Sequence, residues 1–542
     1  MKKRRILGIM LVIVMIAVLV AACGPTENQT VAPPPTGGDQ PAPGGNGTTP
    51  TPPPPTPAED RPYGGVMRFV TTAEGANPIG VPWEVFGVDN ALMIPTIETL
   101  VTESTTGDLA PWLAESWSIY DNEIIFTLRQ GIQFSDGTPF NAESAAWNLQ
   151  HNLEHNNLAV PVTAVEVRGE YEVALIYDFF TITVLSGLAS RPTGFISPTA
   201  FYANGIEWAR DNPVGTGPFV ATDFVRGSHV TFERNPNYWV EGRPFLDGMV
   251  IKLIRDVMMQ NVAMQASGED SIDVLNTTNG EQVAMFREMG GFIASSVPIG
   301  PMVLAPSSLN PDSPFAILEV RQAVSYAINR EAITAARGFG VLTPATQSIP
   351  EQFPHARLPA SYNLSFNLER ARELMEEAGF ADGFTTRLIA QPGLADRDAA
   401  VIIQAMLAEI NINAELEFPD GGGYSAIRTG GWEGLLIQHG RTLTQVVSSF
   451  NFYFGNSINL LSSMWWPDYM EGMIEAAMAA TDPDDQSRYL IDMHRVVTDQ
   501  MLWMPLYNLY DNWIAKDFIR GAEFGQWGSG TFFLPPEIYI AP

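Results

Sequence analysis

The chain contains a single cysteine, Cys23, and this feature most limits how the chain can be stabilised. No disulfide can form within the chain, so its 542 residues must be held together by hydrophobic cores. A chain of this length exceeds what one core supports, and we expect two or three domains. The composition is globular, because 45% of the residues are hydrophobic and only 17% are charged. The formal net charge of −30 argues against nucleic acid and anionic membrane surfaces as partners.

The first 22 residues have the pattern of an export signal. Basic residues at positions 2–5 precede an apolar run over 6–22 that carries no charged or polar side chain. The sequence VAACG at 20–24 then resembles the lipobox of bacterial lipoproteins, in which a cysteine receives a diacylglyceryl group. This resemblance implies a lipoprotein signal peptide at 1–22 and lipid attachment at Cys23, with the membrane contacted only through the N-terminal lipid. The alternative is an uncleaved membrane span, since the run is about long enough to cross a bilayer.

Residues 23–61 are dominated by Pro, Gly and Thr and contain few bulky apolar side chains. A segment of this composition cannot build a core, and its proline runs at 33–35 and 52–55 favour polyproline II. We expect a semi-extended tether that leads to a folded body beginning near residue 62.

Strand and helix signals alternate along the rest of the chain, which indicates an α/β body. β-rich runs at 63–70 and 124–128 predict strands. Asn141 and Asp482 are expected to cap the amino ends of two helices, and Gly379 to end a third. One further helix is predicted by an apolar stripe at helical spacing. The stripe consists of Val320, Ala323, Val324, Ala327 and Ile328.

Six segments of the body, in this order and spacing, resemble one family of binding proteins. They read LAPWLAESW (109–117), FTLRQGIQFSDGTPF (126–140), NPVGTGPF (212–219), ERNPNYW (233–239), VRQAVSYAINRE (320–331) and ARELMEEAGF (371–380). The chain is identified from them as a member of extracytoplasmic solute-binding protein family 5, which serves the ABC importers of oligopeptides, dipeptides and nickel.

The resemblance implies a two-lobed, periplasmic-binding-protein-like fold of type II, with an extra domain on the first lobe and a hinged cleft between the lobes. The implied boundaries are 62–101, 191–307 and 501–542 for lobe I, 102–190 for the extra domain and 308–500 for lobe II. We also expect a monomer without enzymatic activity, cofactor or metal. Such a protein captures an oligopeptide-like solute outside the cell and delivers it to an ABC transporter permease. Binding of an oligosaccharide or another solute on the same fold is the alternative.

A zinc peptidase is the enzymatic alternative, because HNLEH at 151–155 fits the H-x-x-E-H pattern. No third zinc ligand is evident downstream, so we interpret this segment as the solvated polar end of the helix that starts near Asn141. The glycine-rich stretches 215–217 and 421–423 are interpreted as turns, since the chain has no Gly-Lys-Ser or Gly-Lys-Thr of a phosphate loop. No G-x-S-x-G motif of a nucleophilic serine is present.

The stretch WEGLLIQHGRTLT at 432–444 matches the region where peptide-binding members of the family carry an acid that pairs with the peptide's α-ammonium group. That acid is missing here, and a buried ammonium needs a carboxylate. Either Glu433 or an acid elsewhere such as Glu84 replaces it, or the ligand has no free amine. Arg441 suits a carboxylate or another anion. The candidate ligand-binding residues are therefore Glu84, Tyr424, Trp432, His439 and Arg441.

Aromatic residues are dense around this stretch. Most are expected in the core, and two or three in the cleft, where they would suit apolar side chains or sugar rings. The aromatic residues are Tyr424, Trp432, Phe450, Phe452, Tyr453, Phe454, Trp465 and Trp466.

Overall fold

The fold is taken from a computed structural model of the chain. The residues that it describes are 61–71, 78–85, 87–104, 106–158, 161–391, 397–440, 445–455, 460–522 and 535–541. The predicted signal peptide, Cys23, nearly all of the tether and Arg441 lie outside the described residues. Within the described ranges, no helix combines the length and apolar character needed to cross a membrane.

The predicted α/β class is confirmed by the succession of strands and helices. The strands are β1 (Val66–Thr71), β2 (Val101–Glu103), β3 (Leu109–Pro111), β4 (Ala114–Ile119), β5 (Glu123–Leu128), β6 (Val162–Gly169), β7 (Glu172–Tyr177), β8 (Phe219–Val225), β9 (His229–Arg234), β10 (Gly248–Leu253), β11 (Val274–Thr277), β12 (Phe292–Pro306), β13 (Thr343–Pro344), β14 (Phe384–Ala390), β15 (Ile412–Glu417), β16 (Leu435–His439), β17 (Met504–Lys516), β18 (Ile519–Arg520) and β19 (Tyr539–Ile540). The α-helices are α1 (Ala142–Glu154), α2 (Ile182–Gly187), α3 (Pro198–Asn204), α4 (Ile206–Ala209), α5 (Val257–Gln265), α6 (Gly280–Met289), α7 (Leu318–Ala327), α8 (Arg330–Arg337), α9 (Leu368–Glu377), α10 (Arg397–Ala408), α11 (Gly421–Gly430), α12 (Val446–Phe454), α13 (Tyr469–Ala479) and α14 (Pro483–Asp499).

One large mixed sheet runs through the molecule in the order β15-β14-β16-β12-β17-β11-β1-β10-β9-β8, and β13 pairs with β17. Its first half contains the parallel strands β11, β1 and β10, and its second half the parallel strands β15, β14 and β16. Phe69 and Val70 are neighbours in β1 but pack into two different cores. The first half is therefore covered on both faces, as is usual for parallel strands.

The strands β12 and β17 join the two halves of the sheet. They are much longer than the other strands and pair antiparallel from Phe292↔Lys516 to Leu304↔Met504. The register is irregular between Pro298 and Gly300 and again between Met302 and Val303. In the first half β11 pairs with β17, and in the second half β16 pairs with β12. We call this pair of long strands the crossing ribbon.

A separate four-stranded antiparallel sheet, in the order β4-β5-β7-β6, packs against α1. The predicted strand at 124–128 is β5, and the predicted cap at Asn141 is confirmed, because its side chain accepts a hydrogen bond from the Ser144 N–H. This sheet falls inside the range 102–190 predicted for the extra domain. The domain boundaries themselves remain a prediction.

The helices of the second half begin and end where the sequence indicates. The apolar stripe on α7 is buried, and Asn367 and Asp482 cap α9 and α14. Gly379 follows α9 with a positive φ of 80°, which glycine adopts without a Cβ clash.

One interpretation of the glycine-rich stretches is wrong. Residues 421–423 do not form a loop but belong to a helix, as the first three residues of α11. The Asp420 side chain accepts a hydrogen bond from the Gly423 N–H and caps this helix. A strong cap therefore outweighs the low helix propensity of three glycines. The stretch 215–217 is a turn that leads into β8, as expected, and its Gly215 and Gly217 lie against the backbone of Thr96, where a Cβ would clash.

Candidate ligand-binding cleft

The carboxyl edges of the two half-sheets face each other along the crossing ribbon. β12 runs from the first half to the second, and since β11 and β12 are both antiparallel to β17, β11 points the same way. β16 is antiparallel to β12 and points back. Ligands of open α/β sheets bind outside the carboxyl ends of the parallel strands. The space between these two edges is therefore the candidate ligand-binding cleft.

The registers of the ribbon give the width of this cleft at its floor. Thr277, the last residue of β11, lies opposite Asn512 of β17. His439, the last residue of β16, lies opposite Met302 of β12, which in turn lies opposite Tyr507 of β17. Five residue steps of β17 thus separate the two edges, which is about 17 Å at the usual rise of a strand. This width accommodates a small molecule or a short peptide.

Hydroxyl and amide side chains follow the floor of the cleft. The Asn508 amide donates to Thr343 Oγ1 at 3.0 Å, and Thr343 Oγ1 lies 2.8 Å from the Tyr510 hydroxyl. On the opposite face of β17, the Asn276 amide donates to Asp511 Oδ1 at 2.7 Å. A floor of this kind can exchange hydrogen bonds with amide or hydroxyl groups of a ligand.

Several helices begin at the two edges, so their electropositive amino ends lie beside the cleft. α5 and α6 follow β10 and β11, and Asp256 and Asn279 cap them. α11 follows β15 and is capped by Asp420. α12 is different: Gln445 at its N-cap position makes no capping hydrogen bond, and the first turn contains no acid. No acid of its own first turn offsets the positive end of α12, but the carboxylate of Glu103 reaches this end through the Gln445 side chain.

The Gln445 side chain makes a contact across the molecule instead. Its Nε2 donates to Glu103 Oε1 at 3.0 Å and to the Gly107 carbonyl at 2.7 Å. Glu103 and Gln445 are both buried. Nearby, Ile182 of α2 packs against a core of the second half. These contacts connect the predicted extra domain to the second half beside the amino end of α12.

Three of the predicted site residues lie on or near β16. Tyr424 is buried, and its hydroxyl donates to the Ile437 carbonyl at 2.8 Å and lies 3.0 Å from Gln438 Oε1. Burial raises the pKa of the Tyr424 hydroxyl above its ordinary range. His439 stands at the carboxyl end of β16, at the cleft, while the buried Trp432 precedes its amino end. The structure therefore brings His439 to the cleft and places Trp432 at the opposite edge of the sheet.

Glu84 lies in another part of the fold. Both of its carboxylate oxygens accept hydrogen bonds from Arg210, at 2.8 and 2.9 Å, so it forms a bidentate ion pair within the first half. Glu433 is exposed beside Trp432. Arg441 lies outside the described residues.

The interpretation of residues 151–155 as a solvated helix end is only partly right. His151 stacks on Trp83 with ring centroids 4.6 Å apart, and burial lowers the pKa of its imidazole. His155 and Glu154 are exposed, as expected. No group of three or more potential metal ligands occurs among the residues that the structure describes.

Sequence reasoning missed a buried carboxylate, Glu98, on which three of the family-like segments converge. Its Oε1 accepts hydrogen bonds from the Trp112 indole and the Tyr238 hydroxyl, each at 2.9 Å. Its Oε2 accepts from the Trp239 indole at 2.9 Å and the Thr216 hydroxyl at 2.8 Å. Burial raises the pKa of this carboxyl despite the four donors, which favour its charged form. Glu98 connects segments 109–117, 212–219 and 233–239 into one structural unit.

A family model described as "Bacterial extracellular solute-binding proteins, family 5 Middle" matches residues 108–460. The chain belongs to this family. The glutathione-binding protein GsiB of Salmonella typhi is 26% identical over 447 residues, which cover 75% of this chain and 83% of the relative. NikA from Brucella suis, solved with Fe(III)-EDTA, has a TM-score of 0.73 at 22% identity and covers 88% of this chain and 100% of its own. DppA from Helicobacter pylori, solved with the peptide STSA, has a TM-score of 0.66 at 18% identity and covers 89% of this chain and 99% of its own.

Membership of family 5 confirms several predictions. The chain is an extracytoplasmic solute-binding protein that works with an ABC importer, and it is not an enzyme. Its fold is that of the two-lobed binding proteins, and the crossing ribbon joins the two halves of its large sheet. The zinc-peptidase alternative is therefore rejected, because the relatives bind solutes.

Proposed function

We propose that this protein captures an oligopeptide-like solute that carries a free carboxylate, and delivers it to its ABC importer. The observation that carries the proposal is α12, the helix that follows β16, which has no capping side chain and no acid in its first turn. A helix terminus of this kind stabilises an anion through its free N–H groups and its dipole. Arg441, which precedes α12 by a few residues, would add a second donor for the same carboxylate.

The positions of the aromatic residues favour a peptide over an oligosaccharide. Tyr424, Phe450, Tyr453 and Phe454 are buried in a core of the second half. Trp465 is partly exposed, but its backbone N–H donates to Ser308, which follows β12 at the edge of the sheet away from the cleft. Sugar binding would call for several aromatic faces in the cleft, and these five residues lie elsewhere.

The ligands named for the relatives agree with a carboxylate anchor. GsiB is named for glutathione, DppA holds a peptide and NikA holds an EDTA chelate, and all three ligands carry carboxylates. We extend only this shared chemistry to the present chain.

The first experiment identifies the solute and tests its carboxylate. Ligand released from the purified protein is analysed by mass spectrometry, and peptides with a free carboxyl terminus are titrated calorimetrically beside the same peptides with an amidated terminus. Amidation should weaken binding about tenfold, because a charge at a partly buried helix terminus contributes about 1 to 2 kcal/mol. Equal affinity for both forms would refute the carboxylate anchor, and binding of oligosaccharides alone would refute the peptide.

A pair of matched variants tests whether the ligand's carboxylate binds at the amino end of α12. Ser448→Asp adds an acid to the first turn of α12, where Ser448 is half-buried, while Ser425→Asp adds the same charge to an exposed site on α11. We expect Ser448→Asp to weaken binding of the free-carboxyl peptide about tenfold and to leave the amidated peptide nearly unaffected. Ser425→Asp should alter neither. Equal losses for both peptides in Ser448→Asp would indicate damage to the fold and not competition for the helix terminus.

We also propose that Cys23 carries the lipid anchor and that the domain boundaries are those inferred from the family resemblance. The cleft and crossing ribbon are compatible with these boundaries, because β12 and β17 lie near 307 and 501, where the lobes would join.

A further inference from the structure

The hairpin formed by β2 and β3 extends from the first half of the molecule to the second. Its base is attached to the first half, because the Leu100 carbonyl accepts hydrogen bonds from the N–H groups of Trp112, at 3.1 Å, and Ala114, at 2.9 Å. Glu98 precedes the hairpin, and the Trp112 indole, just after it, donates to this buried carboxylate. The hairpin is therefore held in place by the same carboxylate that connects the family-like segments.

The other end of the hairpin contacts α12 in the second half. Gln445, the N-cap residue of α12, donates from Nε2 to Glu103 Oε1 and to the Gly107 carbonyl. Glu103 ends β2, and Gly107 lies in the connection to β3. The exposed fractions of Glu103 and Gln445 are only 2% and 9%, so this contact is closed to solvent. A hydrogen bond to a charged acceptor is stronger than one between neutral groups.

Two further contacts lie between the same parts of the chain. Ile182 of α2 packs both against the core of the four-stranded sheet and against a core of the second half. Burial lowers the pKa of the His355 imidazole in the second half, and the charge of Asp108, beside Gly107, opposes this effect. None of these residues belongs to β12 or β17. The hairpin and α2 therefore contact the second half through residues outside the crossing ribbon.

The crossing ribbon is the place where the two lobes can turn relative to each other. Its register is irregular at two points, and such irregularities bend a pair of strands. Hinge motion of two lobes is absorbed by a few residues of the connecting segments. Turning about the ribbon changes the distance between Glu103 and Gln445, and a hydrogen bond of 3.0 Å tolerates little change. The contact therefore belongs to one arrangement of the lobes, in which they are closed at this place.

We propose that Glu103 and Gln445 form a latch that holds the two lobes closed, and that the latch forms in the ligand-free protein as well. A ligand then meets a cleft whose closed form is already populated, and its apparent affinity falls in proportion when the latch is broken and that population decreases. The latch does not depend on the chemistry of the ligand. It stands or fails independently of the carboxylate anchor proposed above.

Charge exchange across the contact is the sharpest perturbation. Gln445→Glu places two carboxylates against each other, and adding Glu103→Gln restores an amide opposite a carboxylate with the roles reversed. Gln445→Met removes the donor without adding a charge. Gln486→Glu is the matched control, because Gln486 of α14 donates to the Ala477 carbonyl at 3.2 Å, entirely within the second half.

The opening is measured as a distance across the latch in the ligand-free protein. Thr106, in the connection between β2 and β3, and Glu351, in the second half, are both exposed and can be replaced by spin-labelled cysteines. Cys23 is the only cysteine of the chain, so a Cys23→Ser background leaves these two labels alone. Pulsed electron paramagnetic resonance then gives the distribution of distances between the labels.

We expect one short main distance in the parent and in Gln486→Glu. Gln445→Glu and Gln445→Met should shift the distribution to longer distances, and Glu103→Gln should return the Gln445→Glu protein towards the parent. Identical distributions in the parent and in both Gln445 variants would overturn the latch. A shift in Gln445→Glu that Glu103→Gln leaves unchanged would overturn it too, since damage to the fold of the second half is not repaired by a change in the hairpin.

Discussion

The carboxylate of Glu98 offers a sharp test of how the first half of the molecule is held together. The substitution Glu98→Gln keeps the shape of the side chain and removes its charge and one acceptor atom. The four donors around it remain, and two of them are indole N–H groups that approach different oxygens, Trp112 at Oε1 and Trp239 at Oε2. An amide offers an oxygen to only one of them.

The magnitude follows from this geometry. Whichever way the amide is turned, its NH₂ group faces one indole N–H, which loses its acceptor at a cost of about 1 to 3 kcal/mol. The hydroxyl on the same side, of Thr216 or Tyr238, can rotate and accept from the amide. The two hydrogen bonds at the remaining oxygen lose about 1 kcal/mol each, because they are no longer charge-assisted. Removal of a buried charge returns part of the loss, and we expect a net destabilisation of about 2 to 3 kcal/mol.

Differential scanning calorimetry at neutral pH measures this loss. The transition that contains the first half should move down by about 4 to 10 °C. Glu115→Gln is the matched control, since Glu115 is exposed on β4 and the variant has the same change of charge. Adding Trp239→Phe to Glu98→Gln should cost less than the sum of the two single losses, because the donor is removed together with its acceptor.

The pH dependence gives a second readout. Because burial raises the folded-state pKa of Glu98 above 4.5, its contribution to stability is fully present below pH 4.5 and decreases as the pH rises through the folded pKa. The stability difference between parent and Glu98→Gln should therefore be larger below pH 4.5 than at pH 7. A melting temperature of Glu98→Gln equal to that of Glu115→Gln would refute the reasoning.

Three further predictions concern other parts of the chain. Burial lowers the pKa of His494 to about 4 in the folded protein, against 6.5 in the unfolded chain. The stability that this residue contributes is therefore fully present above pH 6.5, and about 3 kcal/mol of it is lost as the pH falls towards 4. In His494→Gln, the melting temperature should depend less on pH over this range than it does in the parent. Cys23→Ser should abolish metabolic labelling with a fatty acid, and labelling equal to that of the parent would contradict the anchor. Arg441→Ala should weaken ligand binding by roughly 2 kcal/mol in calorimetric titrations and leave the melting temperature of the ligand-free protein unchanged, whereas unaltered affinity would remove Arg441 from the site.

Local features of the fold could be predicted because their causes lie within a few residues. The cap at Asn141 acts on the N–H of Ser144, three residues away, and the stripe on α7 spans less than three turns. The glycines 421–423 show the limit of this reasoning, since composition alone favours a turn and only the position of Asp420 makes them a helix.

The long-range features could not be read from one sequence. The pairing of β11 with β17 joins residues more than 200 positions apart, and nothing in the pattern of either strand specifies its partner. Glu98 likewise gathers donors from segments up to 141 positions away. For the candidate cleft, reasoning from the family-like stretch pointed to His439, which ends β16, and its role in binding stays a prediction. It could not show that Glu84 is held by Arg210 or that Trp432 lies at the far edge.

The position of β17 in the chain has a consequence for biosynthesis. β17 is the central neighbour of both β11 and β12, yet it is made only after more than 500 residues have left the ribosome. Until then β11 lacks one of its two neighbours and the halves of the sheet have no common strand, so the native topology cannot be completed during most of translation. For an extracytoplasmic protein such a delay has an advantage, because the earlier strands cannot lock into the final sheet before the whole chain has been made.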